Sequence, residues 1–332
     1  MNSPRNKAVD LAKFIAAVFV VGIHTRPFSQ WSTTADFVLC DILFRTAVPF
    51  FAVCTGFYLT RKMKWVAGEE KQDQRMVGKL AWKVLLMYLG WSLFYLIIHI
   101  LTWYQSGTLS MQSFLDWLVL SIKGYSYYHL WYLSQLFWGL LFLYPIIRYV
   151  PVKLQYILVI LLWLFGAFCH VYCDILGTGR TFVGHIGHLG ALSASVGRIL
   201  PLLIAGSLLA RKNDSGKGSI LLPIIFAGLL TLEAFFLRSQ GASRFSFIVF
   251  TLPLAFVLFQ WIEQLQIPLF TDTRAIAKTA MLVYLLHPAV LFLLQSFFTL
   301  NPFWTFLTTL LLTVAVSIIF GHIPYPARCG RG

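Results

Sequence analysis

Three polar side chains interrupt the first apolar stretch of the chain, VDLAKFIAAVFVVGIHTRPF: Asp10, Lys13 and His24. An imidazole can take or give a proton near neutral pH, an ammonium can meet a phosphate or a developing oxyanion, and a carboxylate can orient either. Lys13 and His24 are eleven residues apart. At about 100° per residue they share one helix face, roughly 16 Å apart along the axis, with Asp10 within about 60° of both. A lysine at membrane depth costs on the order of 2.5–3.5 kcal/mol and normally faces a polar cavity or a partner. The plainer alternative is an Asp10–Lys13 pair at the membrane edge with His24 as an interfacial histidine.

The same kind of interruption recurs down the chain. Asp41 and Arg45 stand at i, i+4, the spacing of an intrahelical ion pair. Pro49 follows, and its missing N–H predicts a kink beside the arginine. Tyr127, Tyr128, His129, Trp131 and Tyr132 make an aromatic cluster, which a membrane-interface belt explains except for the histidine. Arg198 precedes Pro201, Glu233 lies in a later span, and His287 precedes Pro288. A self-neutralised pair would only hold spans together. A set of polar residues in several spans is what a polar central cavity demands. His185 and His188 are helically spaced, but no third ligand stands nearby, so they read as a polar loop and no metal is expected.

The elements that must position these groups are apolar helices. The chain has 332 residues, 58% of them hydrophobic and 11% charged, whereas soluble domains carry about 25% charged residues. Windows of about 20 apolar residues predict ten spans, near 8–26, 37–60, 80–103, 128–147, 155–173, 191–210, 219–237, 245–264, 279–299 and 302–321. The link RKMKWVAGEEKQDQRMVGK is strongly basic, and alternation from it puts seventeen Lys and Arg on the cytoplasmic side and five on the other. That asymmetry predicts cytoplasmic termini, and topology accounts for the net charge of +14 without nucleic acid. The first span lacks a small-residue cleavage site, and Lys13 breaks its apolar run, so it does not read as a signal peptide. The stretch 104–127 reads as an interfacial or re-entrant helix on the outer face. Cys169 and Cys173 read as unpaired thiols. No phosphate loop, nucleophile elbow, dinucleotide fingerprint or internal repeat occurs. The expected fold is all-α: a polytopic membrane protein with about ten transmembrane helices around a polar cavity, as one domain over 1–325 with a short cytoplasmic tail, 326–332.

Four motifs in order resemble the acyltransferase-3 family of integral membrane O-acyltransferases, and the likeness covers nearly the whole chain. A basic residue, ten residues and a histidine match Lys13 and His24. An arginine before Val-Pro-x-Phe-Phe and a Ser-Gly-Phe-like triplet match Arg45, Val48 to Phe51, and Thr55 to Phe57. HLWYL matches His129 to Leu133, and a Tyr-Leu-x-His-Pro run matches Tyr284, Leu285, His287 and Pro288. Where relatives carry an Arg-Asn-Gly-like start to the sixth span, this chain has Val196, Gly197 and Arg198. Within the family, IHTRPF and VPFF look closest to the membrane domain of vancomycin-resistance serine/alanine racemases. Those proteins continue into a cytoplasmic pyridoxal-phosphate domain. This sequence stops at PYPARCGRG, an ending that leaves a truncation open, so no racemase activity is expected of it.

The resemblance implies a multi-pass protein of a bacterial-type cell membrane. It implies transfer of an acyl group, acetyl by expectation, from cytoplasmic acyl-CoA to a hydroxyl of an extracytoplasmic or lipid-linked carbohydrate or cell-envelope acceptor. No bound cofactor is implied; acyl-CoA is a substrate. His24 would be the general base, or an acylated nucleophile, with Lys13 as its catalytic partner. Lys13 and Arg45 would supply charge to the CoA phosphates or the oxyanion, and Asp10 would orient Lys13. His129, Trp131, His287 and Arg198 would line the donor or acceptor path. A reading from another class stands beside it: a transport or recognition domain for a small solute such as L-serine, which needs the same polar cavity but no base.

Overall fold

The computed structural model describes residues 6–66, 68–175, 191–212, 218–268 and 273–321. Among the described residues the regular elements are all helices, and the protein is an all-α, polytopic membrane protein. In chain order the helices are α1 (Lys7–Thr25), α2 (Thr33–Asp36), α3 (Ala47–Arg61), α4 (Glu70–Gln105), α5 (Met111–Ile122), α6 (Trp131–Tyr149), α7 (Val152–Ala167), α8 (Cys173–Ile175), α9 (Ala191–Gly197), α10 (Ile199–Arg211), α11 (Leu221–Ser239), α12 (Thr251–Glu263), α13 (Arg274–Phe297) and α14 (Pro302–Gly321). Among the described residues, seven segments are long and apolar enough to cross a bilayer: Lys7–Thr25, Thr33–Arg61, Glu70–Gln105, Val152–Tyr172, Leu221–Ser239, Arg274–Phe297 and Pro302–Ile319.

The other three predicted spans fall on α6, on α9 with α10, and on α12. Helix α6 runs unbroken for 19 residues with Pro145 inside it and polar residues along it, Ser134, Gln135 and Arg148 among them. The sixth span is split into α9 and α10 at Arg198. The eighth begins only at Thr251, because 245–250 is not helical. Between 104 and 127 a single 12-residue helix, α5, buries Trp117 and leaves most of its surface exposed. Cys169 and Cys173 form no disulfide, and the Cys173 thiol donates to the Cys169 carbonyl at 3.4 Å. His185, His188 and the 326–332 tail lie outside the described residues.

The chain groups into two compact units, Met1–Ala47 with Ile262–Gly332, and Val48–Trp261. In the first, α1 packs against α13, α14 and the turn 44–46. Asn6 caps α1 by accepting from the Val9 N–H at 3.1 Å. The helix ends where Arg26 turns left-handed (φ 49°) and donates its N–H to the Gly22 carbonyl at 2.9 Å. Gly22 lies under the Phe44 ring, where a Cβ would come within 2.5 Å of a ring carbon. Thr305, Thr309, Thr313 and Ser317 recur every fourth residue along α14 and are all buried, small side chains that let membrane helices approach closely.

In the second unit, α6 packs on α4, α9 and α10, and α10 also packs on α7. Backbones approach closely at two places: between α7 and α9, where a Cβ on Gly166 would fall 1.7 Å from the Gly197 carbonyl oxygen, and between α3 and α10. A Cβ on Gly56 would fall 2.1 Å from the Leu203 carbonyl oxygen, and one on Gly206 would fall 2.1 Å from that of Val53. The two backbones touch, and Thr60 and Ser207 share a hydroxyl–hydroxyl bond beside the contact.

Candidate active site

In the first unit, α1 and α13 bring together two histidines 263 residues apart in sequence: the rings of His24 and His287 stack at 5.3 Å between centroids, 25° from parallel. His287 is fully buried. Its Nδ1 lies 3.0 Å from the Val283 carbonyl one turn back. A carbonyl only accepts, so the neutral ring carries its proton on Nδ1 and its lone pair on Nε2. Pro288 follows inside the helix.

Arg45 lies within electrostatic range of His24 and belongs to a ladder of alternating charge. Its Nη2 donates to Asp41 Oδ1 at 2.9 Å. Arg26 donates to the same carboxylate, Nη2 to Oδ2 at 2.8 Å and Nη1 to Oδ1 at 3.3 Å. Arg26 Nε also donates to Asp36 Oδ2 at 2.8 Å. The backbone that presents the ladder is irregular: a π-helical turn over Phe37–Leu43 carries Asp41, and a 3-10 turn over Phe44–Thr46 carries Arg45. Such turns concentrate at functional sites. The irregular turns lie just upstream of Pro49, which sits in the first turn of α3 within the continuous helical segment Thr33–Arg61.

Lys13 and Asp10 lie on the same helix, nearer its start. Lys13 Nζ is 4.0 Å from Asp10 Oδ1, and the Thr273 hydroxyl donates to Asp10 Oδ2 at 2.7 Å. Asp10 thus faces both the lysine and the residue before α13, while Lys13 is about 16 Å of helix rise from His24.

The second unit holds the other expected residues in two places. His129, 2% exposed, is packed edge-on against Tyr95 (4.9 Å) and Tyr127 (5.7 Å), with Tyr128 also at 5.7 Å. Trp131 and Arg198 meet through a residue the sequence does not single out: Phe247 lies 5.9 Å from Trp131, and the Arg198 guanidinium lies over it at 5.4 Å. Arg198 Nη2 also bonds His170 Nδ1 at 2.9 Å. Glu233 pins this segment by accepting from the N–H groups of Val249 (2.7 Å) and Phe250 (2.9 Å) and from the Tyr172 hydroxyl.

Residue spacing does not reveal Arg26, Asp36, His170 or Phe247 as parts of these clusters. Arg26 follows His24 by two residues and precedes a proline, a hint that a sharp turn carries it. The rest are joined only by tertiary pairing. Among the described residues no group of three His, Cys, Asp or Glu side chains is arranged to hold a metal ion.

The chain matches the acyltransferase domain family over residues 6–322. Its curated relatives include an amino-acid racemase of Enterococcus faecalis, 27% identical over 96% of this chain and 46% of that protein. Another is the serine/alanine racemase of Enterococcus gallinarum, 26% identical over 95% of this chain and 46% of that protein. The chain thus spans about half the length of these relatives. No solved structure matches it. With a family match running through every span that carries the motif residues, the chain belongs to the acyltransferase-3 domain family.

Proposed function

We propose that this membrane acyltransferase moves an acyl group from acyl-CoA to an acceptor hydroxyl, with His24 as the base. The observation that carries the reading is the His24–His287 ring pair, in a chain of this family. His24 removes the hydroxyl proton as the oxygen attacks the thioester carbonyl. Collapse of the tetrahedral intermediate breaks the C–S bond, and the CoA sulfur leaves with the proton from the imidazolium. His287, its Nδ1–H held by Val283, presents Nε2 as an acceptor on the same ring stack. Arg45 stabilises the oxyanion, held in place by Asp41. Lys13, oriented by Asp10, meets the CoA phosphates. The protein resides in a bacterial-type cell membrane with cytoplasmic termini, the donor is acetyl-CoA, and the acceptor is a carbohydrate or another cell-envelope hydroxyl.

Purified protein in detergent or nanodiscs, given acetyl-CoA and a panel of hydroxylated envelope fragments, should release CoA thiol in step with ester formation. No acyl-CoA turnover with any acceptor, in protein that is folded and monodisperse, overturns the reading. The names of the racemase relatives favour one second reading, a membrane domain that recognises a small amino acid such as L-serine. Saturable L-serine binding by protein that never turns over acyl-CoA would establish that reading instead.

A further inference from the structure

The second unit contains a small polar cavity of about 380 Å³, lined by Val171, Ile175, Gln240, Gly241, Ala242, Ser243 and Arg244. Its walls come from two places. Val171 belongs to the π-helical turn Phe168–Tyr172 and Ile175 to α8, and the rest of the rim is the turn that follows α11, where Gly241 takes φ 84°.

Its polar side chains are Arg244, exposed on the rim, with Gln240 and Ser243 on the same turn. A guanidinium, an amide and a hydroxyl on one cavity wall match a hydroxylated anion, because guanidinium forks bond carboxylate and phosphate oxygens pairwise. The volume falls at the low end for small-molecule pockets, enough for one sugar- or amino-acid-sized unit and too small for a polymer.

We propose that this cavity binds the carboxylate or phosphate of a small hydroxylated molecule, with Arg244 as its principal contact and Gln240 and Ser243 bonding the hydroxyls. The site goes beyond the acyl-transfer reading, since it binds such a molecule whether the chain transfers a group to it or only recognises it.

The test is equilibrium dialysis of the purified full chain, without acyl donor, against radiolabelled D-glycerate, glycerol 3-phosphate and glycerol. The two anions should bind saturably and glycerol should not; the tighter anion identifies carboxylate or phosphate as the natural group. Arg244→Gln should weaken that binding about 10-fold or more, the effect of losing one charge-assisted hydrogen bond. Arg244 is exposed, so the variant should fold. Ser243→Asp, which keeps Arg244 and sets a carboxylate on the wall, should weaken it by a similar factor. Absence of saturable binding for both anions, equal binding of glycerol, or undiminished binding in both variants overturns the proposal.

Discussion

Arg26 and Arg45 grip the same carboxylate: Asp41 accepts from Arg26 Nη2 at 2.8 Å and from Arg45 Nη2 at 2.9 Å. With Asp36 on the far side of Arg26, two guanidiniums and two carboxylates alternate, so the ladder is neutral as a whole. Its effect on Arg45 is to fix direction. A guanidinium tied through Nη2 and, at 3.3 Å, Nε to a carboxylate one turn back keeps one orientation near His24. The backbone is strained to achieve this. Arg26 adopts φ 49° directly before Pro27, a conformation that costs a non-glycine residue of order 1–3 kcal/mol and persists only where the surroundings enforce it.

If the pair existed for Arg45 alone, Asp41→Asn should be the milder change. The structure reverses that expectation. Asp41→Asn leaves two neighbouring guanidiniums without their shared counter-charge, whereas Arg45→Gln leaves Asp41 still paired with Arg26. Breaking one side of a well-buried pair costs about 3–5 kcal/mol. Arg26 is 43% exposed, which reduces its share of that cost. Thermal unfolding followed by size-exclusion fluorescence should therefore show Asp41→Asn as the less stable variant, with Arg45→Gln folded but impaired in turnover. Equal thermal loss in both would mean that the ladder is only a structural clamp.

The contact between α3 and α10 makes a second expectation. A side chain at Gly206 would drive a Cβ into the Val53 carbonyl, and a helix backbone cannot swing aside as a side-chain tip can. Gly206→Leu should lower the unfolding temperature and the folded yield, since overpacking costs about 1–3 kcal/mol even where the neighbours are side chains. Gly228→Leu is the control, because nothing lies within 4 Å of its Cβ position. Matching behaviour of the two variants would show that the close approach does not hold the fold.

Apolar runs of about 20 residues were enough to find the membrane helices, because a bilayer leaves backbone groups few alternatives to helix. The reading fails where a polar anchor overrides the run. The stretch 245–250 is apolar yet irregular, because Glu233 takes the Val249 and Phe250 amides and Trp163 Nε1 takes the Val249 carbonyl at 2.9 Å. Helix spacing places Asp41 beside Arg45 and Lys13 on the face of His24. It cannot bring His287 to His24, because only the packing of α13 on α1 does so. Nor does it find Arg26, which a count of loop charges assigns to the outer surface and a left-handed turn sends back to Asp41.

The stacked imidazoles make the sharpest prediction. If His24 is the base, His24→Ala should insert and bind acyl-CoA like the parent while losing about 10²–10⁴-fold in turnover, the usual worth of a positioned proton acceptor. His287→Ala removes the other half of the ring pair. If the two act as a unit, the double variant should be no slower than the slower single one, since residues in one catalytic unit are far from additive. Lys13→Ala should act differently, raising KM for the acyl donor more than it lowers kcat, because about three helix turns separate the ammonium from the imidazole. The pH profile follows from the role: a base works unprotonated, so turnover should be full at higher pH and fall as acid protonates the imidazole. Steady-state kinetics of the four variants across pH decide the matter. Parental rates in His24→Ala, or independent multiplicative losses from the two histidines, would remove the ring pair from the chemistry.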